Sequence, residues 1–261
     1  MNCPSLTLRS GADLDDPLEL ARVFIAQDGS YQNYDLAEVS RDDRLSESDV
    51  RVANRIIARM GQDTVAAILT RAPAASAALA RIPADASLVR QDADIPWLPL
   101  EDLFGAFESL PGVGLPRLTK VLHKKRPALV PILDSVVDRY LVAVGGPVAG
   151  ALGERGTALT RLYKEELDAC LPVLACVREA LLADGVDLTE CRLLDIYLWA
   201  YLGQYDPLWR RVAGTPASRP THAPAAASSA DDARVTDDIE LFRHAETKYL
   251  PGPLAVRRDG W

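Results

Sequence analysis

The chain has 261 residues, of which 48% are hydrophobic and 25% charged, and a formal net charge of −8. That length and apolar share suffice for one substantial core or two small ones, and the acidic balance argues against coating a polyanion with the whole surface. The N-terminus, MNCPSLTLRSG, has no apolar leader segment, and the weakly polar run from Leu141 to Leu152 is too short and too rich in glycine and proline to cross a bilayer, so a soluble, cytoplasmic protein is expected.

The dominant period along the chain is helical. Pro17 to Gln27 carries Leu18, Ala21, Val23, Phe24 and Ile25, with a proline suited to a first helical turn. Ser46-Glu-Ser-Asp49 resembles a capping box and is followed by Val50, Ala53, Ile57 and Met60 on one face before Gly61. Asp63 to Ile82 is alanine-rich and reads as a helix broken near Pro73, and Pro99 to Leu110 as another with Leu103, Phe104 and Phe107 apolar. Further helices are predicted over Pro116 to Lys125, Ser135 to Val144, Thr157 to Leu182 with a kink at Pro172, and Leu188 to Leu202. No run alternates convincingly like a strand, so the class is all-α, with a helical body over 1–212. Residues 213–236, rich in Ala, Pro, Ser and Thr, read as a flexible linker. The tail at 237–261 has room for one short helix and ends on Trp261. The four cysteines form no CxxC pair, which predicts reduced thiols and no cysteine-held zinc or iron–sulfur cluster.

Charge is unevenly spread. Between Gly112 and Tyr140, Arg117, Lys120, Lys124, Lys125, Arg126 and Arg139 face only Asp134 and Asp138, a local excess of four positive charges in an acidic chain. Such a block is either a solvated helix face or the footprint of a polyanion. It follows LPGVG, a turn that places backbone N–H groups at a helix N-terminus, where the dipole favours a phosphate and glycine allows close approach. Gly112, Val113 and Gly114 would present the amides, with Arg117, Lys120, Lys124 and Lys125 along the following helix as further backbone contacts. A glycine stop followed by a helix start is also an ordinary tight turn.

LPGVG, then a helix, the apolar run Val130-Pro-Ile-Leu133 and Asp134-Ser-Val-Val137-Asp-Arg139 resemble the helix-hairpin-helix DNA glycosylases of the endonuclease III superfamily, over roughly Phe104 to Leu141. The phrase KRPALVPILDS also resembles an uncharacterised actinobacterial family. The glycosylase resemblance implies a bilobal helical domain with its hairpin at about 99–145. The hairpin would grip duplex DNA, a base would be flipped between the lobes, and Asp134 would assist hydrolysis of the N-glycosidic bond. A carboxylate suits that step because the departing base leaves positive charge on the sugar. Asp134 before an apolar helix equally suits an N-cap, and one residue can do both. The family's lyase members place a lysine two residues after the second glycine, where this chain has Pro116. Lys120 falls four residues further on, on a different part of the helix, as a phosphate contact or solvated charge. A monofunctional enzyme without metal or cofactor is expected.

A flipped base needs stacking surfaces and hydrogen-bond partners. Tyr31, Tyr34 and Asp35 in YQNYD, with Asn54 on an apolar helix face, are the candidate pocket, although an amide such as Asn54 can instead close an internal hydrogen bond. Leu194, Tyr197, Leu198 and Tyr201 recur at helical spacing and read as core, and His123 among lysines as a phosphate contact. Three functions remain open: a glycosylase acting on a modified or damaged base in repair or in defence against foreign DNA, a non-catalytic DNA-binding module, and an all-α interaction protein.

Overall fold

The computed structural model describes residues 2–202. The predicted linker, the tail with its short helix and Trp261 lie outside the described residues. The architecture is helical apart from one short ribbon, in which β1 (Leu6–Thr7) pairs antiparallel with β2 (Asp13–Leu14) and Leu6 stands opposite Leu14. The ribbon, which no alternating pattern announced, sends Leu6, Leu8 and Leu14 into the core.

Local chemistry accounts for several helix starts. Asp16 caps α1 (Pro17–Gln27) by accepting the Glu19 N–H at 3.0 Å. Ser46 and Asp49 form the expected capping box of α2 (Glu47–Ala53): the Ser46 N–H donates to the Asp49 carboxylate at 2.8 Å, and the Asp49 N–H to the Ser46 hydroxyl at 3.4 Å. The alanine-rich segment divides into α3 (Gln62–Thr70) and α4 (Ala72–Leu79), with Pro73 in the first turn of α4, where its missing N–H costs nothing. Next comes α5 (Trp97–Gly105), which stops five residues before the predicted Leu110. The remaining helices are α6 (Leu115–Lys125), α7 (Ser135–Gly145), α8 (Leu152–Ala183) and α9 (Glu190–Leu202). Among the described residues no helix is long and apolar enough to cross a membrane.

The core is built around α8, against which α1, α5, α7 and α9 pack. Leu194, Tyr197 and Leu198 are buried in it, as their spacing predicted. Contact between α5 and α8 runs through glycine: a Cβ on Gly153 would come within 2.8 Å of the Glu101 carbonyl oxygen, and one on Gly156 within 2.7 Å of the Phe104 ring.

One expectation is corrected. Cys3 and Cys176 are joined in a disulfide that ties the N-terminal segment to α8, while Cys170 and Cys191 are free and buried. The partners are 173 residues apart, so no local spacing could reveal them, and the premise of four reduced thiols behind the cytoplasmic expectation falls away.

Gly153→Ala is expected to cost about 1–3 kcal/mol, because the added methyl meets backbone that cannot step aside. Urea unfolding would show this as a lower midpoint at unchanged slope.

Candidate functional site

Leu115, Leu118, Val121 and Leu122 bury one face of α6. Helical spacing therefore puts Arg117, Lys120 and Lys124 together on another edge. Four residues after Pro116, Lys120 lies one turn further along the helix. The turn before α6 is anchored from below by buried Val113, whose N–H donates to the Leu110 carbonyl at 3.2 Å. Gly112 has φ +70°, in the left-handed region that suits glycine, and Gly114 is the N-cap of α6 with extended backbone (φ −103°, ψ 175°). Both glycines are exposed, and their N–H groups have no acceptor among the described residues. Arg117 braces this turn, donating to the Gly112 carbonyl and, at 3.0 Å, to the Ala58 carbonyl. Ala58 lies between Ile57 and Arg59, both at positive φ.

Asp134 is the N-cap of α7. Its Oδ1 accepts the N–H groups of Val136 and Val137 at 2.9 and 3.0 Å, while Oδ2 accepts none among the described residues. The carboxylate is partly buried and acts on Lys120. Burial holds the Lys120 ammonium below the ordinary lysine range; Asp134 opposes that shift, and Arg192, Arg59 and Arg117 add to it. The Lys120 ammonium donates no hydrogen bond among the described residues and acts on Asp134 through its charge alone.

Much of the remaining basic block points inward. Lys124 donates to the carbonyls of Tyr34 and Asp35, each at 3.0 Å. Lys125 is fully buried and held by the Ser40 carbonyl at 2.8 Å and by Asp42 and Asp49 at 3.0 Å each. Arg126 is fully buried too, donating to the carbonyls of Leu79, Ile82 and Arg41 and to Asp43. Lys125 therefore has no proton to offer a phosphate, and His123, 2% exposed, is likewise out of a phosphate's reach.

The four pocket candidates lie in two neighbouring turns. Tyr31 and Tyr34 are buried in a single wide turn, Tyr31–Asp35. The Tyr34 hydroxyl donates to the Lys120 carbonyl at 2.7 Å, and its ring stacks on His123 at 6.2 Å between centroids. Asp35 receives a two-pronged contact from Arg192 at 2.8 and 2.9 Å. Asn54 is exposed, and its amide closes the following loop on the Met60 N–H and carbonyl at 2.8 and 2.9 Å. A cavity of about 610 Å³ opens at the C-terminal end of α6, walled by Asp35, Arg41, His123, Lys124, Arg178 and Arg192 among others. Neither Asp134, Tyr31, Tyr34 nor Asn54 lines it.

Behind this cavity is a polar cluster that the helical periods did not reveal. His123 on α6 and Cys191 and Asp195 on α9 are 2%, 1% and 3% exposed. Burial pushes the Asp195 carboxyl up to about 8, with Arg192, the Ile132 N–H and the Tyr163 hydroxyl opposing. Burial likewise pushes His123 down to about 4, helped by Arg192, and the Cys191 thiol upward, helped by Asp195. The readable signal was Arg192 and Asp195 inside ECRLLDIYLWAYL, two ionisable groups in a helix that is otherwise almost wholly apolar.

A family model matches residues 19–201, which contain the turn, Asp134 and the buried cluster. The chain belongs to DUF6308. The description of that family is one of unknown function. Comparison with curated proteins and with solved structures finds no match. The Cys3–Cys176 disulfide joins a residue outside the DUF6308 segment to one inside it.

In this DUF6308 chain, Lys125→Ala leaves Asp49 buried at 1% exposure without its cation, and one Asp49 oxygen already lacks a partner. We expect a loss of about 3–5 kcal/mol in urea unfolding. Lys124→Ala strands no buried charge and should cost less than half as much.

Proposed function

We propose that this DUF6308 protein binds duplex DNA through the Pro111–Leu115 turn and acts on it as a monofunctional glycosylase, with Asp134 as the catalytic carboxylate. The observation that carries the reading is the pairing of two features on adjacent elements. The N–H groups of the exposed residues Gly112 and Gly114 have no acceptor among the described residues, and a carboxylate one helix further on keeps one oxygen without a hydrogen bond there, within the electrostatic influence of the Lys120 ammonium. A phosphate oxygen satisfies the first, since it accepts both amides at the positive end of α6. A developing oxocarbenium ion satisfies the second.

In the reaction, the bond between sugar C1′ and the base nitrogen breaks with its electron pair leaving on the base. The Asp134 oxygen stabilises the cationic sugar and orients a water; that water adds to C1′ and gives up a proton, and the free base is protonated. The two N–H groups on Oδ1 fix the direction of the carboxylate. With Pro116 in the first turn of α6, no amine stands where the superfamily's lyases form their covalent link. The bilobal arrangement of that superfamily and a flipped base are part of this reading, as is work in the cytoplasm. Lys120 serves as a phosphate contact or as a positive charge acting on Asp134.

A second reading, a DNA-binding module without chemistry, is favoured by one fact: Asp134 already has a complete structural task as the cap of α7.

Gly114→Asp separates phosphate binding from folding. The site has N-cap backbone geometry, and the nearest atom to an added Cβ is Pro116 Cδ at an ordinary 3.6 Å. Stability should therefore be kept or slightly raised, while a carboxylate over the amides repels DNA. Fluorescence anisotropy with a labelled duplex should show at least a tenfold weaker Kd, and the wild type should lose affinity steeply with salt. Equal affinity in the two proteins removes the turn from the interface. For catalysis, Asp134→Asn should abolish the formation of alkali-labile abasic sites in modified-base DNA and leave duplex binding intact. Wild-type protein that leaves every such substrate uncut returns the non-catalytic module.

A further inference from the structure

We infer that His123, Cys191 and Asp195 form a site for one divalent transition-metal ion of the zinc class, bridging α6 and α9. One ring nitrogen, the thiol sulfur and one carboxylate oxygen lie within 4.8 Å of one another. A four-coordinate ion with ligand bonds of about 2.0–2.3 Å needs donors roughly 3.5 Å apart, so the side chains would close in by up to about 1.3 Å. Cys191 and Asp195 stand four residues apart on α9, the spacing that puts two ligands on one helical face, and His123 meets them from the helix opposite.

The surroundings are those of ligands held in place. The His123 Nδ1–H donates to the Val130 carbonyl at 2.7 Å, which fixes the neutral tautomer with its lone pair on Nε2. The Ile132 N–H reaches both Asp195 oxygens, at 3.3 and 3.1 Å. The Tyr163 hydroxyl, which donates to the Cys191 carbonyl at 2.6 Å, also lies against that carboxylate. Asp195 has no ion pair among the described residues, because the neighbouring Arg192 spends its guanidinium on Asp35. A dication with one thiolate, one carboxylate and one neutral imidazole sums to zero charge, which is the condition for burying all four together. Sulfur and imidazole select an ion of zinc's class over magnesium or calcium, whose sites are built from oxygen. His123 also lines the 610 Å³ cavity. The metal-free expectation drawn from cysteine spacing does not reach this site, because its single cysteine has partners of other types.

The inference stands apart from the DNA reading and is tested without DNA. The full chain, stripped with a chelator, is titrated with Co²⁺ and then with Zn²⁺. One equivalent of Co²⁺ should produce a thiolate-to-cobalt charge-transfer band that Zn²⁺ then erases, and saturating Zn²⁺ should raise Tm by roughly 5 °C. Cys191→Ser should lose the band, and Cys170→Ser, which changes the other buried thiol, should keep it. If Cys191→Ser does not fold, Asp195→Asn and His123→Gln decide instead, each expected to weaken Co²⁺ binding at least tenfold. A wild-type chain showing neither band nor Tm shift overturns the assignment. So does a band that survives Cys191→Ser or disappears in Cys170→Ser.

Discussion

Lys125 and Arg126 end α6 with two positive charges that solvent does not reach, and burying such ions costs several kcal/mol each unless every donor is matched. The matching groups come from distant parts of the chain. Asp42 and Asp43 lie in the loop before α2 and Asp49 in its first turn, while the Leu79 and Ile82 carbonyls close α4. The position of α6 is thus dictated by electrostatic satisfaction as much as by its apolar face. A shift of α6 along its axis would strand two cations and an aspartate at once. The Asp35–Arg192 pair repeats the device between the Tyr31–Asp35 turn and α9.

That use of charge explains why the basic block is a poor guide to a binding face. Its four-charge excess reads as an electrostatic footprint only if the side chains point outward. Lys125 and Arg126 are instead core cations balanced by acids about eighty residues earlier, and Lys124 rests on backbone carbonyls. Apart from exposed Arg139 on α7, what remains is a small set near the helix start: the glycine amides, the partly buried Lys120 and the Asp134 carboxylate that acts on it. A small, directional group of donors fits recognition of a few phosphates at a defined register better than diffuse attraction to a polyanion.

Local signals carried the secondary structure well. Asp16, the Ser46–Asp49 box, Pro73 and Asp134 mark helix starts by chemistry contained within four residues, and each is visible in the chain. Position in space was legible wherever periodicity governs it, as for Leu194, Tyr197 and Leu198. It was hidden where the deciding partner is remote. Lys125 and Lys120 are both lysines on one helix, and only the location of Asp42 and Asp49 makes the first a core residue. The Cys3–Cys176 bond and the convergence of His123 on Cys191 and Asp195 belong to the same class, since each needs two segments brought together by packing that no local pattern encodes.

A helix fixed so firmly at one end is suited to presenting something at the other. Backbone amides bind an anion well when they need no reorganisation to do so, because the entropy of aligning them is met during folding rather than at the moment of binding. The C-terminal cations of α6 immobilise it, Val113 and Leu115 seat the turn, and Arg117 ties that turn to the Ala58 carbonyl in a segment of left-handed backbone. Each contact removes a degree of freedom from Gly112 and Gly114, two residues that would otherwise be among the most mobile in the chain. Glycine is needed there for close approach, and rigidity has to be imported from neighbours. The buried charges at Lys125 and Arg126 are one source of it, so the costliest interactions in the fold and the proposed phosphate contact are two ends of a single mechanical element.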